Sequence, residues 1–417
     1  MELKKYKKKR ITPQGWKEVT LADAFNTSSG ATPLSTEASY YENGTIPWIN
    51  SGELASPYIY GTTNFISQAG FENSSTEIYP IDTVLVAMYG ATAGKASLLK
   101  MEACTNQAIC AILPNKDYSS TFLKYSIDTL YDHLVGLSSG SARDNLSQAE
   151  LKKLKLIMPP TKDEQNKLVS ILALIDRKIE LNRAINQNLE AMAKQLYDYW
   201  FVQFDFPDEN GQPYKSSGGK MVWNEKLKRE IPKGWNVAKL TDEIELQYGF
   251  PFSTDLFTEQ VTSVPVVRIR DILDNSISAY TTEEVEERYL LQKQDLLIGM
   301  DGNFHINYWT DNVSYLNQRS VRLRAKNNSN VSIVQAKYDI QPYIKAKETR
   351  TKGSTVGHLS DKDMKELYVL VCPNEKAREK LDSILSMIVK NRNEVTFLIK
   401  QRNELLPLLM NGQIIIE

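Results

Sequence analysis

Residues 159–200 read PPTKDEQNKLVSILALIDRKIELNRAINQNLEAMAKQLYDYW. After the two prolines, Thr161 and Glu164 have the spacing of a capping box, in which each side chain accepts a hydrogen bond from a free backbone N–H of the first turn. Steps of four and three residues then join Leu168, Leu172, Ile175, Ile179, Asn182, Asn186, Leu189, Ala193 and Leu196. Because this spacing is typical of a coiled-coil seam, the stretch predicts a long helix that pairs with another helix.

A second stretch near the end of the chain repeats this pattern, 213 residues later at every seam position. It begins after Pro373, where Asn374 fits an N-cap. Its seam positions are Leu381, Leu385, Ile388, Arg392, Val395, Ile399, Arg402, Leu406 and Leu409. The polar seam residues fall at different places in the two helices, and buried polar seam residues commonly fix register and partner. We therefore predict that the two helices pair; the alternative is that each one only covers its own β-rich domain.

The rest of the chain repeats as well. The segment TPQGWKEVTLADAF (12–25) returns as IPKGWNVAKLTDEI (231–244), and TIPWINSGEL (45–54) returns as SVPVVRIRDIL (263–273). The segments TNQAICAILP (105–114) and SGSARDNLSQAELKKLKLIMPP (139–160) return as LNQRSVRLRA (316–325) and TKGSTVGHLSDKDMKELYVLVCP (351–373). The order is kept and the offsets lie between about 211 and 219 residues, which indicates two copies of one unit.

This organisation predicts an α+β fold with an internal pseudo-two-fold repeat. Two β-rich domains span residues 11–160 and 231–373, because short apolar runs there are broken by Gly, Pro, Asn and Ser. Each is followed by a long helix, at 161–200 and 374–412, and the two helices form an antiparallel coiled coil with the β-rich domains at its opposite ends. Residues 201–230 are predicted as a connector that docks through Trp200, Phe201, Phe204, Phe206 and Trp223.

Composition narrows the class of protein. The chain has 417 residues, of which 41% are hydrophobic and 24% charged, as in ordinary globular domains. Its three cysteines, Cys104, Cys110 and Cys372, lack the spacing of a disulfide framework or a zinc site. No apolar run follows the basic N-terminus, and none is long enough to span a bilayer. We expect a cytoplasmic protein without membrane association.

Patterns that would indicate an enzyme are absent from the sequence. The segment VAMYGATAGKASLL (86–99) resembles a phosphate-binding loop, but Gly90 and Gly94 are separated by only three residues and Ala96 replaces the metal-binding hydroxyl. The glycines are better explained as turn residues with positive φ. The three histidines, His133, His305 and His358, are scattered, so no metal site is expected.

Three segments carry a resemblance to a known family: PPTKDEQNKLVSILALIDRKIELNRAINQNLEAMAKQLYDYWFVQFDFP (159–207), ENGQPYKSSGGKMVWNEKLKREIPKGW (209–235) and RNELLPLLMNGQI (402–414). With the duplication, they resemble the specificity subunit of type I DNA restriction–modification systems. The resemblance implies two target recognition domains, each reading one half of a split, asymmetric double-stranded DNA sequence. It implies that the helices act as a ruler between the halves, with Leu168, Leu172, Ile175, Ile179, Leu381, Leu385, Ile388 and Val395 as spacer-helix contacts.

The same resemblance implies that the chain is not itself an enzyme. Its partners would be two methyltransferase (modification) subunits and ATP-driven restriction subunits, and S-adenosylmethionine, ATP and magnesium would be bound by those partners rather than by this chain. The alternative from another class of protein is a non-catalytic assembly scaffold whose β-rich domains bind protein ligands.

Several residues suit DNA contact. The loops at 140–147 and 351–360 place small residues and a cation before the last strand of each β-rich domain, through Ser141, Arg143 and Asn145 and through Lys352 and Ser354. Strand alternation puts Arg322, Arg324 and Lys326 on one predicted cationic face. Lys95, Arg268 and Arg270 complete the set. The alternative for each of these residues is that it is a solvated surface residue without a role in DNA contact.

Two observations argue against the interpretation that this chain alone binds DNA strongly. The pairs Asn106–Gln107 and Asn317–Gln318 occur in both copies, so they are better explained as turn-holding residues than as base readers, although amides can read adenine. Residues 11–160 hold 9 Lys/Arg against 14 Asp/Glu, and residues 231–373 hold 17 against 19. Because phosphate neutralisation dominates DNA affinity, the chain alone is expected to bind DNA weakly, the first domain more weakly than the second.

Overall fold

The structure is a computed structural model that describes residues 12–139, 145–261, 263–351 and 357–414. These residues fall into two compact units. Unit 1 comprises the chain up to residue 179 together with the segment from residue 397 onward, and unit 2 comprises residues 180–396. Each of the two long helices therefore contributes one part to each unit.

Unit 1 is built on short strands, as predicted for the first β-rich domain. Its strands are β1 (Lys17–Thr20), β2 (Thr27–Ser29), β3 (Ile46–Ile49), β4 (Tyr58–Ile59), β5 (Phe65–Ile66), β6 (Val84–Ala87), β7 (Ala96–Leu99), β8 (Cys104–Thr105), β9 (Ile109–Ile112) and β10 (Lys155–Met158). Its helices are α1 (Leu21–Ala24), α2 (Gln68–Glu72), α3 (Ser120–Asp128), α4 (Tyr131–Ser139), α5 (Gln148–Lys152) and the first half of α6 (Lys162–Tyr197), with 3₁₀ turns at Ala38–Tyr40 and Ser51–Ala55.

Unit 2 has a matching set of elements. Its strands are β11 (Met221–Asn224), β12 (Arg229–Pro232), β13 (Asn236–Lys239), β14 (Ile244–Tyr248), β15 (Phe257–Thr258), β16 (Val264–Val267), β17 (Ala279–Thr281), β18 (Leu296–Gly299), β19 (Ile306–Tyr308), β20 (Tyr315–Leu316), β21 (Ser320–Ala325) and β22 (Tyr368–Val371). Its helices are α7 (Leu240–Glu243), α8 (Ile269–Ile272), α9 (Ile333–Thr351), α10 (Asp361–Lys365) and most of α11 (Glu375–Met410), with a π-helical turn at Asp198–Val202 and 3₁₀ turns at Thr254–Leu256 and Glu287–Tyr289.

The sheets confirm the internal repeat. The order β2-β9-β6-β7 in unit 1 corresponds to β14-β21-β18-β19 in unit 2, with β4 added in parallel to β7 in unit 1 only. A smaller sheet β5-β3-β8 corresponds to β17-β16-β20, and both contain one parallel pair. The first and last strands of each copy pair antiparallel, as β1 with β10 and as β13 with β22. The predicted α+β fold is therefore correct.

The capping residues read from the sequence are confirmed. The Thr161 backbone N–H donates to Glu164 Oε2 at 3.1 Å, and the Glu164 N–H donates to Thr161 Oγ1 at 3.3 Å. At the second helix, Asn374 Oδ1 accepts from the Lys376 N–H at 3.0 Å. Both helices then run for 36 residues, and their seam positions are buried or half-buried. Packing of such a face stabilises a helix in a protein more than its intrinsic propensity does.

In unit 1, the first half of α6 lies beside the last turns of α11. Leu168, Leu172, Leu409 and Met410 belong to one apolar core with the large sheet and α3. A buried charge accompanies them: Asp176 Oδ1 accepts from Arg402 Nη1 at 2.9 Å, and Asp176 Oδ2 accepts from the Tyr125 hydroxyl at 2.6 Å. The fully buried Lys124 ammonium lies 3.7 Å from the same carboxylate. Polar seam residues thus have specific partners, as the sequence pattern predicted.

In unit 2, the second half of α6 pairs with α11 through apolar and amide contacts. Leu381, Leu385 and Ile388 are buried in the core of unit 2, against which Leu189 and Leu196 pack. Asn182 Nδ2 donates to Glu394 Oε2, whereas Asn186 lies further along α6 and contacts Ile388 O and Asn391, further back along α11. This reversed order confirms an antiparallel pair. Ile179 is buried, and Ile175 and Val395 are half-buried.

The connector is folded and belongs to unit 2. Phe201, Phe204 and Phe206 pack around Trp235, with ring centroids 5.0–5.7 Å apart, and Trp200 is buried. The expectation for Trp223 is wrong, because this side chain is 59% exposed on the β11–β12 hairpin and its indole N–H donates to Glu225. Docking is carried by the phenylalanines next to the end of α6.

The described part of the chain has no helix long and apolar enough to cross a membrane. Its three cysteines are free and buried. Burial raises the pKa of Cys104 to about 11, that of Cys110 to about 12 and that of Cys372 to about 11, so all three remain protonated thiols at neutral pH.

Candidate nucleic-acid interface

The turn that resembled a phosphate loop is a glycine turn present in both units. Gly90 and Gly94 have φ values of +84° and +80°, and Gly302 in unit 2 has +70°. Only glycine adopts such angles without a steric penalty, which explains the spacing. The turn hydrogen bonds run between backbone groups, from the Gly94 N–H to Ala87 O and from the Gly299 N–H to His305 O.

This turn anchors the segment that leads to the last strand of each copy. The Leu146 N–H donates to Met88 O at 2.8 Å, and the Leu359 N–H donates to Met300 O at 2.8 Å. In unit 2 the Gly302 N–H also donates to Gly357 O at 3.0 Å. The predicted DNA-contact loops therefore end beside the glycine turns. Asn145 is described and exposed, whereas Ser141, Arg143, Lys352 and Ser354 lie outside the described residues.

The repeated Asn–Gln pairs hold backbone, as the sequence comparison favoured. Asn106 donates from its side chain to Asn50 Oδ1 at 3.2 Å and accepts from the Ala108 N–H at 3.1 Å. In unit 2, Asn317 Oδ1 accepts from the Gln318 N–H at 2.9 Å, and the Asn317 N–H donates to Val267 O at 2.9 Å. The asparagine of each pair thus fixes the loop that follows the small sheet.

A second repeated feature is a capped helical turn after the central strand of the small sheet. Glu53 Oε1 accepts from the Asn50 N–H at 2.8 Å, and Asp271 Oδ2 accepts from the Arg268 N–H at 2.9 Å. The equivalence Asn50–Arg268 and Glu53–Asp271 aligns Gly52 with Arg270. The capped turn has the same backbone hydrogen bond in both copies, whereas Gly52 in unit 1 is replaced by the charged Arg270 in unit 2.

In unit 2 these loops enclose an open cleft of about 460 Å³, which we call the arginine cleft. It is lined by Arg268, Ile269, Arg270, Asn303, His305, Asn317, Gln318 and Arg319. The structure therefore brings the predicted Arg268 and Arg270 together with two residues that sequence reasoning missed, His305 and Arg319. Comparison of the two copies in the sequence could have found Arg319, because this residue follows the repeated Asn–Gln pair at the position where unit 1 has Ala108.

Two arginines form one wall of the cleft. Arg268 Nη2 donates to Ser278 O at 2.6 Å, and Arg270 Nε donates to Ser278 Oγ at 3.2 Å. Burial, followed by the nearby Arg270 charge, lowers the pKa of Arg268, so the two guanidiniums repel each other there. Among the described residues, Arg268 Nε has no hydrogen-bond acceptor. The buried Asp271 carboxylate, 3.9 Å from both guanidiniums, offsets part of their charge, and the remaining N–H donors of the two arginines can bind an anion.

A third arginine that lines the cleft, Arg319, has an unusual backbone conformation. Arg319 has φ +64° although it is not glycine, and its side chain is 70% exposed. Its Nη1 donates to Asp301 Oδ2 at 3.0 Å, and His358 Nδ1 is hydrogen-bonded to Asp301 Oδ1 at 2.6 Å. The Asp301 carboxylate is therefore held from both sides.

The prediction of a cationic face on β21 is wrong. Arg322 is 2% exposed and paired with Glu245, and Arg324 donates two 2.7 Å hydrogen bonds to the buried Asp295. Lys326 donates to Thr241 O at 2.7 Å. The carboxylates of Glu245 and Asp295 neutralise Arg322 and Arg324, whereas Lys326 lies beyond the end of β21 and is exposed. These cations stabilise the sheet of unit 2.

Lys95 lies in a different environment from the unit 2 arginines. Its ammonium lies 4.5 Å from the centroid of the Tyr131 ring, a favourable cation–π distance. The residue is exposed and lines an open cavity of unit 1 with Lys124, Asp128 and Arg402. Its predicted DNA contact stays a prediction.

The side chains that line the arginine cleft suit the binding of an anion. The described ranges contain no group of three or more His, Cys, Asp or Glu side chains able to hold a metal ion. The arginine cleft offers hydrogen-bond donors and positive charge but no nucleophile paired with a base. What the arrangement can do is bind an anionic, hydrogen-bond-accepting surface.

Comparison with known proteins gives one consistent result. The model of the type I restriction modification DNA specificity domain matches residues 13–191 and again residues 232–405. The chain is similar to the type I restriction enzyme MjaIX specificity subunit of Methanocaldococcus jannaschii, with 26% identity over 97% of this chain and 95% of that protein. It is also similar to the EcoR124I/EcoR124II specificity subunit of Escherichia coli, with 23% identity over 46% of this chain and 48% of that protein.

A solved structure has a similar fold. The type I restriction–modification system S subunit from M. genitalium aligns over 96% of this chain and 97% of its own length, with a TM-score of 0.61 and 16% sequence identity. At this identity, the likeness concerns the fold.

Proposed function

The chain belongs to the family of type I restriction–modification DNA specificity proteins, and from that premise we propose that it is the DNA-reading subunit of such a system. Each unit reads one half of a bipartite, asymmetric site in double-stranded DNA. The chain directs two methyltransferase subunits and the restriction/translocase subunits to that site in the cytoplasm. It performs no catalysis, and S-adenosylmethionine, ATP and magnesium are bound by the partners.

The observation that carries this proposal is the arginine cleft of unit 2. Four segments that repeat along the chain meet there: the glycine turn, the capped turn with Arg268 and Arg270, the Asn–Gln loop and the segment leading to β22. Guanidinium groups bind phosphate oxygens and base edges through directed N–H donors. The frame of this cleft recurs in unit 1 with other side chains, as expected for two readers with different targets.

Charge supports a division of labour with the partners. Both β-rich domains carry more acidic than basic residues, and Arg322 and Arg324 are neutralised by carboxylates. Few cations therefore remain for phosphate contacts, which supply most of the affinity of DNA-binding proteins. We propose that the methyltransferase subunits contribute most backbone contacts and that this chain contributes the sequence preference.

A partner surface is supported by an apolar stripe on α6 in unit 2. Leu181, Ile185 and Met192 are 46%, 45% and 48% exposed, at spacings of four and seven residues that place them on one face of the helix. The paired face lies next to it, at Asn182, Asn186 and Leu189. We propose that this stripe receives an apolar surface of a methyltransferase subunit, because exposed apolar side chains in a row favour docking.

The stripe is tested by the double variant Leu181→Glu/Ile185→Glu, with Gln187→Glu as the matched control on another exposed face of the same helix. Analytical ultracentrifugation of the mixed subunits should show assembly with the methyltransferase weakened at least tenfold by the double variant and unchanged by the control. Equal assembly by all three proteins contradicts the assigned surface.

The function itself is tested by sequencing DNA methylation in cells that express the neighbouring methyltransferase with and without this chain. We expect one split, asymmetric motif to be methylated only when the chain is present. If no motif depends on the chain, while the purified chain binds a protein ligand, the scaffold alternative is correct.

A further inference from the structure

We propose that Arg319, oriented by Asp301, reads a guanine in the half-site bound by unit 2. This inference rests on the proposed DNA-reading function and adds to it a specificity-determining residue and the base it recognises. It starts from two independent features of Arg319, its backbone conformation and its carboxylate partner.

The backbone conformation of Arg319 is imposed by its surroundings. A φ of +64° is costly for a residue with a Cβ, on the order of 1 kcal/mol, and glycine would avoid that cost. The position is held because Arg319 O accepts from the Met300 N–H at 2.9 Å, next to the glycine turn. Unit 2 thus keeps a strained arginine at the mouth of the cleft, in a loop where glycine would fit the backbone better. Such strain is typical of functional positions.

The carboxylate partner fixes the direction of the guanidinium. Asp301 is only 18% exposed in its side chain and is hydrogen-bonded to both Arg319 and His358. One of the five N–H donors of Arg319 is occupied by Asp301, while 70% of the side chain remains exposed. A guanidinium held in this way presents a planar donor fork to the cleft.

An oriented fork suits a base edge better than a phosphate. Guanine offers two acceptors, O6 and N7, in the major groove, and a bidentate arginine is their commonest partner. Phosphate contact needs charge without a fixed direction, and an adjacent carboxylate reduces that charge. Arg270 is held more loosely, by one 3.2 Å hydrogen bond to Ser278 Oγ with the Asp271 carboxylate 3.9 Å away, and it is 67% exposed, so we assign it to phosphate contact. Arg319 is therefore assigned to the base.

The repeat supports the same assignment. The equivalent position in unit 1 is Ala108, and the position equivalent to Asp301 is Tyr89, although the flanking Asn–Gln pair and glycine turn are present in both copies. The arginine and its clamp are thus additions to the repeated frame, as a residue that distinguishes one target from the other must be.

The test uses the complete complex with its methyltransferase and compares Arg319→Gly, Arg319→Lys and the control Lys293→Ala. Glycine removes the guanidinium but suits the positive φ, so unit 2 should fold. Lysine keeps the charge but lacks the fork. Lys293 is exposed at the opposite end of strand β18, so its loss controls for one missing cation. Methylation-motif sequencing and dimethyl sulphate protection of guanine N7 are the two readouts.

For both Arg319 variants, we expect one guanine of one half-site to lose its requirement, with discrimination falling about tenfold to a hundredfold and N7 protection at that guanine lost. The other half-site and the Lys293→Ala motif should be unchanged. Asp301→Asn, as a positioning variant, should reduce discrimination at the same base more than overall DNA affinity.

The possible outcomes separate the two proposals. If the wild-type chain directs no motif, the DNA-reading function is wrong. If the wild-type motif is present and every Arg319 variant keeps it, or if binding weakens equally on all sequences, the function stands and the assignment of Arg319 to a guanine is overturned.

Discussion

The corresponding loops of the two units share one backbone arrangement and carry different side chains. In both, a glycine turn, an Asn-held loop and a capped turn meet, but Asn50, Gly52 and Ala108 in unit 1 correspond to Arg268, Arg270 and Arg319 in unit 2. The residues that repeat are those that hold backbone. Where the copies differ, unit 2 has an arginine that lines the cleft, whereas in unit 1 Ala108 is buried and Asn50 accepts a hydrogen bond from Asn106. The difference between the copies therefore supports the unit 2 arginines as the proposed reading positions.

The contacts between α6 and α11 also differ between the two units. In unit 1 the helix pair is joined by the fully buried carboxylate of Asp176, whereas the ion pair across the helices in unit 2, Arg392 with Glu190 at 2.8 Å, is open to solvent at Glu190. A buried charge that loses its partners is costly, while an exposed ion pair contributes little. The same architecture is thus held by different forces.

The largest expected effect is at the contact between α6 and α11 in unit 1. Asp176→Ala should lower the free energy of unfolding by about 3–5 kcal/mol, because Arg402 and the buried Tyr125 hydroxyl would lose their acceptor and Lys124 would keep only Asp128, 2.8 Å away. Glu190→Ala, the matched change in unit 2, should cost less than about 1 kcal/mol. Urea unfolding followed by circular dichroism measures both. Similar losses for the two variants would remove the contrast between the helix contacts of the two units.

The next effect concerns DNA affinity. Arg270→Gln in unit 2 should reduce the slope of log binding constant against log salt by about 0.9, the value for one lost phosphate contact. Lys95→Gln in unit 1 should change it by less, since the Lys95 ammonium lies over the Tyr131 ring. Fluorescence anisotropy of the assembled complex at several salt concentrations gives both slopes. A larger change in slope for Lys95→Gln than for Arg270→Gln would contradict the assignment of the phosphate contact to Arg270.

The smallest effect is a pH dependence in unit 2. Burial raises the pKa of Asp339 from 3.8 to about 6, although Tyr197, Gln335 and the Leu370 N–H donate to its carboxylate. The folded protein therefore binds a proton more tightly than the unfolded chain. The resulting stability is present in full below the unfolded pKa and is lost as pH rises through about 6.

Asp339→Asn tests this dependence because it removes the titrating group and keeps the shape. Urea midpoints measured across that pH window should decline with rising pH in the wild type and decline less in the variant. The control variant Asp198→Asn, at a half-buried carboxylate paired with Lys194, should follow the wild type. Parallel curves for Asp339→Asn and the wild type would exclude this residue as the source.

Much of the frame could be predicted because it depends on local spacing. The capping box at Thr161, the helix seam with its amides, the positive φ at Gly90 and the role of Asn106 all follow from residues close in sequence. The site could be predicted only in part. Arg268 and Arg270 lie in the cleft, but Arg322 and Arg324 do not, because their neutralising partners Glu245 and Asp295 come from distant segments. The hydrogen bond between Arg319 and Asp301 could not be predicted, because it depends on how the two loops fold together.

The most direct test of the account places a photoreactive benzophenone amino acid at position 52 or at position 270, the equivalent positions in the capped turns of the two units. A side chain at Gly52 meets no atom within 4 Å of its Cβ, and Arg270 is 67% exposed, so both sites accept it. The account predicts that irradiation of the complex on its target DNA cross-links position 52 to one half-site and position 270 to the other, with no cross-link from position 293. Cross-linking of neither position, or of both to the same half-site, would contradict it.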